Sequence, residues 1–234
     1  MQDTIKCPHC GADLPAKTVE FNGRCVPIGY EFCHCEGATA ERVAKLQEER
    51  EREAAREAEE TRRKCVAAGI PKRYLEAEHE HAEAIAEAVD EGQGFYIYGE
   101  QGTLKTTLAM AAARILVARG VQVRACVVPN LMEAMRSRTA EDRALTEGLS
   151  KCTVLILDDL GKESATAYAC ERLFTIINDR YNAMLPVIVT SNYSRGEIAR
   201  KLTEGDVGRS IASRLVETTR IVHLDGTDRR LCRG

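Results

Sequence analysis

The chain has 234 residues and a formal net charge of −3, from 33 basic and 36 acidic side chains. That length allows one good core and a small appendage, and the charge balance excludes a global basic field for holding nucleic acid. Residues 1–14 are polar and show no apolar run of the secretory kind, and no stretch elsewhere is apolar enough to span a bilayer, so a soluble, cytoplasmic protein with no membrane partner is expected.

Residues 1–37 are rich in Cys, Gly and Pro and too short to build an apolar core, so this segment needs a metal or crosslinks to hold a shape. Ten cysteines in a chain with no export signal point to metal rather than disulfides. Cys7-Pro8-His9-Cys10-Gly11 reads as a zinc-knuckle turn, and Cys33-His34-Cys35 supplies a second half. Thiolates from Cys7, Cys10, Cys33 and Cys35 would complete a tetrahedral Zn²⁺ site. Cys-x-Cys is tighter than the usual Cys-x-x-Cys, which leaves Cys25, His9 and His34 as alternative ligands. Cys65, Cys126, Cys152, Cys170 and Cys232 are scattered singly and read as small buried hydrophobes.

Residues 38–68 are mostly Glu, Arg and Ala. Glu48–Arg52, Glu59–Arg63 and Glu60–Lys64 sit one helical turn apart, and no apolar stripe recurs between Gln47 and Thr61. The pattern predicts an exposed helical linker rather than a coiled-coil seam, with a partner-binding helix as the alternative.

From residue 69 to 234 the pattern changes. Gly69-Ile70-Pro71 ends the linker, and a helix over 76–90 turns Ala82, Ile85, Ala86 and Val89 inward. Strands are then predicted at 94–98, 121–128, 154–157, 186–190 and 220–224, with helices at 108–119, 131–149 and 168–181 between them. Strands alternating with helices predict an α/β fold with a five-stranded parallel sheet covered on both faces.

Gly99-Glu100-Gln101-Gly102-Thr103-Leu104-Lys105-Thr106 follows the first of these strands and leads through Thr107 into a helix. That is the setting of a Walker A loop, in which backbone N–H groups and a helix N-terminus cradle phosphates. Lys105 would reach the β- and γ-phosphates of ATP, and the Thr106 hydroxyl would ligate Mg²⁺. Leu104 stands where such loops usually have glycine. If that position needs a positive φ, leucine costs about 1 kcal/mol or more; in right-handed geometry it costs little. The apolar strand Val154-Leu155-Ile156-Leu157 ends in Asp158 and Asp159. Asp158 suits the Mg²⁺ shell, and Asp159 suits polarising an attacking water. Arg136, Arg138 and Arg143 form a basic patch that could touch single-stranded DNA, though no aromatic lies between Val121 and Ala167 to stack bases.

Further on come Val189-Thr190-Ser191-Asn192 and Gly208-Arg209-Ser210-Ile211-Ala212-Ser213-Arg214-Leu215. The order of these motifs resembles AAA+ ATPases of the DnaC/DnaI helicase-loader and IstB group. The resemblance runs from about Gly69 to the C-terminus. It implies that Asn192 is sensor 1 and Arg214 the arginine finger, with Arg209 as runner-up. It also implies ATP sites between subunits, and therefore self-assembly. The α-helical lid is expected to be absent or minimal, with Arg229 or Arg230 standing in for sensor 2. DnaI-type loaders resemble the N-terminal arrangement too, with a small zinc module that docks on the helicase. The resemblance therefore implies a P-loop ATPase, with hydrolysis slowed by Leu104, that loads a replicative helicase onto single-stranded DNA. The alternatives are an IstB-like transposition ATPase and a nucleotide-sensing adaptor with little hydrolysis.

Overall fold

The computed structural model describes residues 4–21, 24–135, 139–162, 166–202 and 206–225. Arg136, Arg138, Arg229, Arg230 and Cys232 lie outside the described residues. The chain divides into two compact units, Met1–Glu60 and Thr61–Gly234.

In the first unit, β1 (Thr4–Lys6), β2 (Asp13–Phe21) and β3 (Arg24–Tyr30) form an antiparallel sheet in that order. This sheet was not foreseen from composition. Its apolar side chains do not make a core: Phe21 is 69% exposed and Ile28 60%. Helix α1 (Glu36–Ala67) follows, with Glu36 in its first turn and Lys64 in its last, each favourable to the helix dipole. Glu41–Lys45 and Glu48–Arg52 pairs at 2.8 and 2.6 Å run along its exposed surface.

The second unit takes in the end of α1, where Cys65 joins the apolar core, so this unit reaches further back than residue 69. Gly69 stops the helix with φ +88°, and a side chain there would collide with the Ala125 carbonyl. A single 3₁₀ turn (Lys72–Tyr74) leads to α2 (Ala82–Asp90). Residues 76–81, expected to be helical, contain no buried side chain and stay outside α2.

Then come β4 (Gly94–Gly99), α3 (Lys105–Ala118), β5 (Val123–Val127), α4 (Val128–Ala134), α5 (Ala140–Lys151) and β6 (Val154–Leu160). After them follow α6 (Ala167–Asn182), β7 (Val187–Ser191), α7 (Arg195–Leu202), α8 (Asp206–Thr218) and β8 (Thr219–Leu224). The single helix expected over 131–149 is two helices. Pro129 opens α4 early, its fixed φ and missing N–H suiting the first turn. Thr139 and Asp142 form a reciprocal capping box that starts α5.

The five strands are parallel, in the order β5-β6-β7-β4-β8. Alternate residues along each strand face opposite layers. Phe95, Ile97 and Ile156 pack with Ile85, Val89, Leu108 and Leu116 of α2 and α3. Tyr96, Leu155, Leu157 and Val189 pack with Leu131, Leu173, Ile176 and Ile211 of α4, α6 and α8. β8 is the last element among the described residues, and no helical lid follows it there.

This order positions the site. The chain leaves β4, crosses to the far edge at β5, and returns through β6 and β7. The carboxyl end of β7 therefore lies between those of β4 and β6, at the topological switch point where open α/β sheets bind ligands.

Candidate nucleotide and metal sites

The loop between β4 and α3 is shaped by backbone constraints. Gly99 has φ +153°, and a Cβ there would strike the carbonyl of Leu224, its partner on β8. Leu104 has φ 63° and ψ 21°, the left-handed conformation, so leucine occupies a geometry suited to glycine. The Thr103 hydroxyl braces the turn by donating to the Glu100 carbonyl at 2.8 Å. Glu100 and Gln101 are exposed, Gly102 is buried, and Thr106 and Thr107 in the first turn of α3 are half-buried.

Lys105 is only 6% exposed, and its Nζ donates to the carbonyls of Gly99, at 2.9 Å, and Glu100. Those carbonyl oxygens stand in for the oxygen acceptors that a bound phosphate would offer. A buried ammonium enclosed by a loop of backbone amides at a helix N-terminus fits a polyphosphate.

Across the switch point, Asp158 is 4% exposed. Its Oδ1 accepts from the Thr106 hydroxyl at 2.9 Å and from the Thr190 hydroxyl at 2.6 Å. Burial pushes this carboxyl up, and the two hydroxyls pull the other way. The Thr106 hydroxyl and the Asp158 carboxylate are hard oxygen donors of the type that holds Mg²⁺ beside a phosphate. Asp159 has φ 62°, and the pairing of β6 with β7 shifts register between Leu157 and Leu160. This irregularity breaks strand alternation and re-aims the two successive carboxylates. The Asp159 amide donates to Thr190 Oγ1 at 2.9 Å, and Lys162 reaches its carboxylate at 2.8 Å.

Thr190 thus links Asp158 and Asp159 through one hydroxyl, a role that sequence reasoning missed. The available signal was a hydroxyl residue ending an otherwise apolar strand. Ser191 likewise donates to the Leu160 carbonyl at 2.7 Å, tying β7 to β6. Asn192 is half-buried and follows directly on β7.

In the first unit, the sulfurs of Cys7, Cys10, Cys33 and Cys35 all lie within 4.8 Å of one another. Cys7–Cys35 is 3.8 Å and Cys10–Cys33 is 3.4 Å. Tetrahedral zinc with bonds of about 2.3 Å separates its sulfurs by about 3.8 Å, so this donor set fits. Backbone amides of Cys10 and His9 hold the Cys7 thiol down at about 6. The Ala12 amide pulls on Cys10, but the sulfurs of Cys33, Cys35 and Cys7 push it up to about 12. Cys25 stands exposed on β3, and His9 pairs with Glu41 at 2.7 Å.

The family of IstB-like ATP binding proteins matches residues 41–233. This chain belongs to that family. An ATP-binding protein from a Mycobacterium tuberculosis insertion sequence is 28% identical over 145 residues, covering 61% of this chain and 57% of that protein. The replicative helicase loader DnaC of Escherichia coli is 29% identical over 115 residues, 47% of this chain and 46% of DnaC. The chain spans about half the length of these two relatives. The crystal structure of DnaI aligns with TM-score 0.55 at 30% identity, over 65% of this chain and 86% of that one.

Within this IstB-like AAA+ fold, the residues expected at the site separate into two groups. Loop 99–107, Asp158, Asp159 and Asn192 stand at the carboxyl ends of three adjacent strands. Arg214 on α8 does not join them: its guanidinium donates to Asn178 on α6 and to the Ser210 carbonyl on its own helix. Arg209 is exposed and paired with Asp206. A further arginine escaped the sequence reading. Arg180 is 2% exposed and donates to the carbonyls of Leu149, Cys152, Thr153 and Pro186 at 2.7–3.0 Å, joining the ends of α5, β6 and β7.

Proposed function

We propose that this chain is an ATPase that loads a replicative helicase onto single-stranded DNA, with its ATP sites completed between subunits. The observation that carries the nucleotide reading is the convergence of Lys105, Thr106 and Asp158 at the switch point, with Asp158 also bound to Thr190. Backbone amides of residues 99–107 hold the phosphates, and Lys105 neutralises them. Bound Mg²⁺, held by Thr106 and Asp158, would offset charge on the phosphate oxygens. Asp159 orients and deprotonates the attacking water, Asn192 senses the γ-phosphate, and Arg214 serves the site of a neighbouring subunit.

The loader reading is supported by the cluster of Cys7, Cys10, Cys33 and Cys35 ahead of the ATPase unit, together with similarity to DnaI at 30% identity. In this reading residues 1–37 hold Zn²⁺ and meet the helicase, 38–68 form the helical linker, and 69–234 carry ATP turnover. No helix among the described residues is long and apolar enough to cross a membrane.

A transposition ATPase acting on duplex DNA is the second reading. It is favoured by the insertion-sequence relative, whose match covers 61% of this chain against 47% for DnaC. Co-purification with the host's hexameric helicase and with the transposase separates the two. The loader reading expects helicase binding that Cys7→Ser abolishes while ATP affinity is retained. It also expects Lys105→Ala to lower affinity for a fluorescent ATP analogue by about 100-fold or more. Binding to a transposase and duplex DNA, with none to the helicase, would overturn it.

A further inference from the structure

Helix α6 carries Phe174, Asn178 and Tyr181 at successive spacings of four and three, which places all three on one face. Arg214 of α8 lies against that face. Its Nε donates to Asn178 Oδ1 at 2.9 Å, and its guanidinium carbon is 4.7 Å from the Phe174 ring centre and 5.7 Å from that of Tyr181. Tyr181 is itself anchored, its hydroxyl donating to Glu217 at 2.7 Å. The remaining bond of Arg214 runs from Nη1 to the Ser210 carbonyl at 3.3 Å.

Two arginines in this unit make opposite arrangements. Arg180 is sealed in the interior with its Nη atoms occupied by four carbonyls. Arg214 is half-buried; its inner edge is held by an amide and its plane by aromatic rings. Its Nη2 has no hydrogen-bond partner among the described residues. A guanidinium that meets a phosphoryl oxygen needs such an open outer edge.

We propose that Asn178, with the ring planes of Phe174 and Tyr181, is the positioning set for Arg214. It fixes the Nε edge and the tilt of the guanidinium so that the outer edge faces a phosphate of ATP bound to a neighbouring copy of the chain. This rests on the reading of Arg214 as a group supplied in trans. Asn178 touches no nucleotide in this scheme and acts through the arginine alone.

The test uses the full chain with ATP and single-stranded DNA, and follows turnover, ATP affinity and melting temperature for Asn178→Ala, Asn178→Asp and Arg214→Ala. Asn178→Ala is expected to lower kcat about 10-fold with ATP affinity unchanged, the scale of one lost charge-assisted bond. Asn178→Asp keeps an acceptor for Nε and should retain most of the turnover. In an Arg214→Ala background the Asn178→Ala change should have no further effect on kcat. Mixing either alanine variant with Asp159→Asn should restore turnover, because some interfaces then pair an intact Asp159 with an intact, positioned Arg214.

If Arg214→Ala recovers on mixing but Asn178→Ala turns over like the parent chain, the positioning role is wrong and the trans reading stands. A lowered melting temperature with unchanged kcat would mark Asn178 as structural and overturn the proposal in the same way. If Arg214→Ala does not recover on mixing despite co-assembly, the trans reading itself fails and the proposal falls with it.

Discussion

The two units of this chain solve the same problem by opposite means. The C-terminal unit buries two apolar layers on either side of a parallel sheet. The N-terminal unit has a sheet of three strands whose large apolar side chains stay exposed, and four of its sulfurs lie within 4.8 Å of one another. A fold that cannot bury enough apolar area needs a staple, for which four converging thiols suit a bound ion, whereas one that can is free to use its polar groups for chemistry.

Metal removal is the strongest way to break this comparison. Structural zinc supplies about 10 kcal/mol or more of folding free energy. Chelation, or Cys7→Ser, should therefore unfold the first unit outright, seen as proteolysis within residues 1–37, while the melting transition of the C-terminal unit persists. Metal analysis should find about one zinc per chain. A zinc-free preparation that resists proteolysis in this segment would refute the dependence.

Arg180→Leu tests the other side. It removes the bonds that Arg180 makes to the carbonyls of Leu149, Cys152, Thr153 and Pro186, at a cost of about 3 kcal/mol, or about 10 °C in melting temperature for the C-terminal unit. Zinc content should not change. A loss of zinc in this variant would mean that the two units are not energetically separate.

Leu104→Gly should have the smallest effect. Relief of the left-handed strain is opposed by the greater freedom of glycine in the unfolded chain, so the net gain should stay below about 1 kcal/mol. ATP affinity should hold or improve. A clear loss of affinity would show that the leucine side chain supports the loop, and would favour the nucleotide-sensing adaptor.

The sequence by itself determined the features written locally along the chain. The five strands of the C-terminal unit, the loop opening at Gly99, the carboxylates that follow the apolar run of β6 and the paired cysteine turns are all local patterns of hydropathy or spacing. Leu104 was visible as a departure, but its φ was not, because one residue type is compatible with either backbone hand until the surrounding loop selects one. The three N-terminal strands were missed because strand patterns are read from buried alternation, and here nearly all of those side chains face solvent. Only the tertiary structure decided that β7 lies between β6 and β4, and with it that Thr190 joins Asp158 to Asp159 across a separation of about thirty residues. The same holds for Arg180, and for the placing of Asn178 against Arg214. Such contacts depend on strand order and helix packing, which no local stretch of sequence encodes, because their energy comes from groups that become neighbours only after the chain has crossed the sheet.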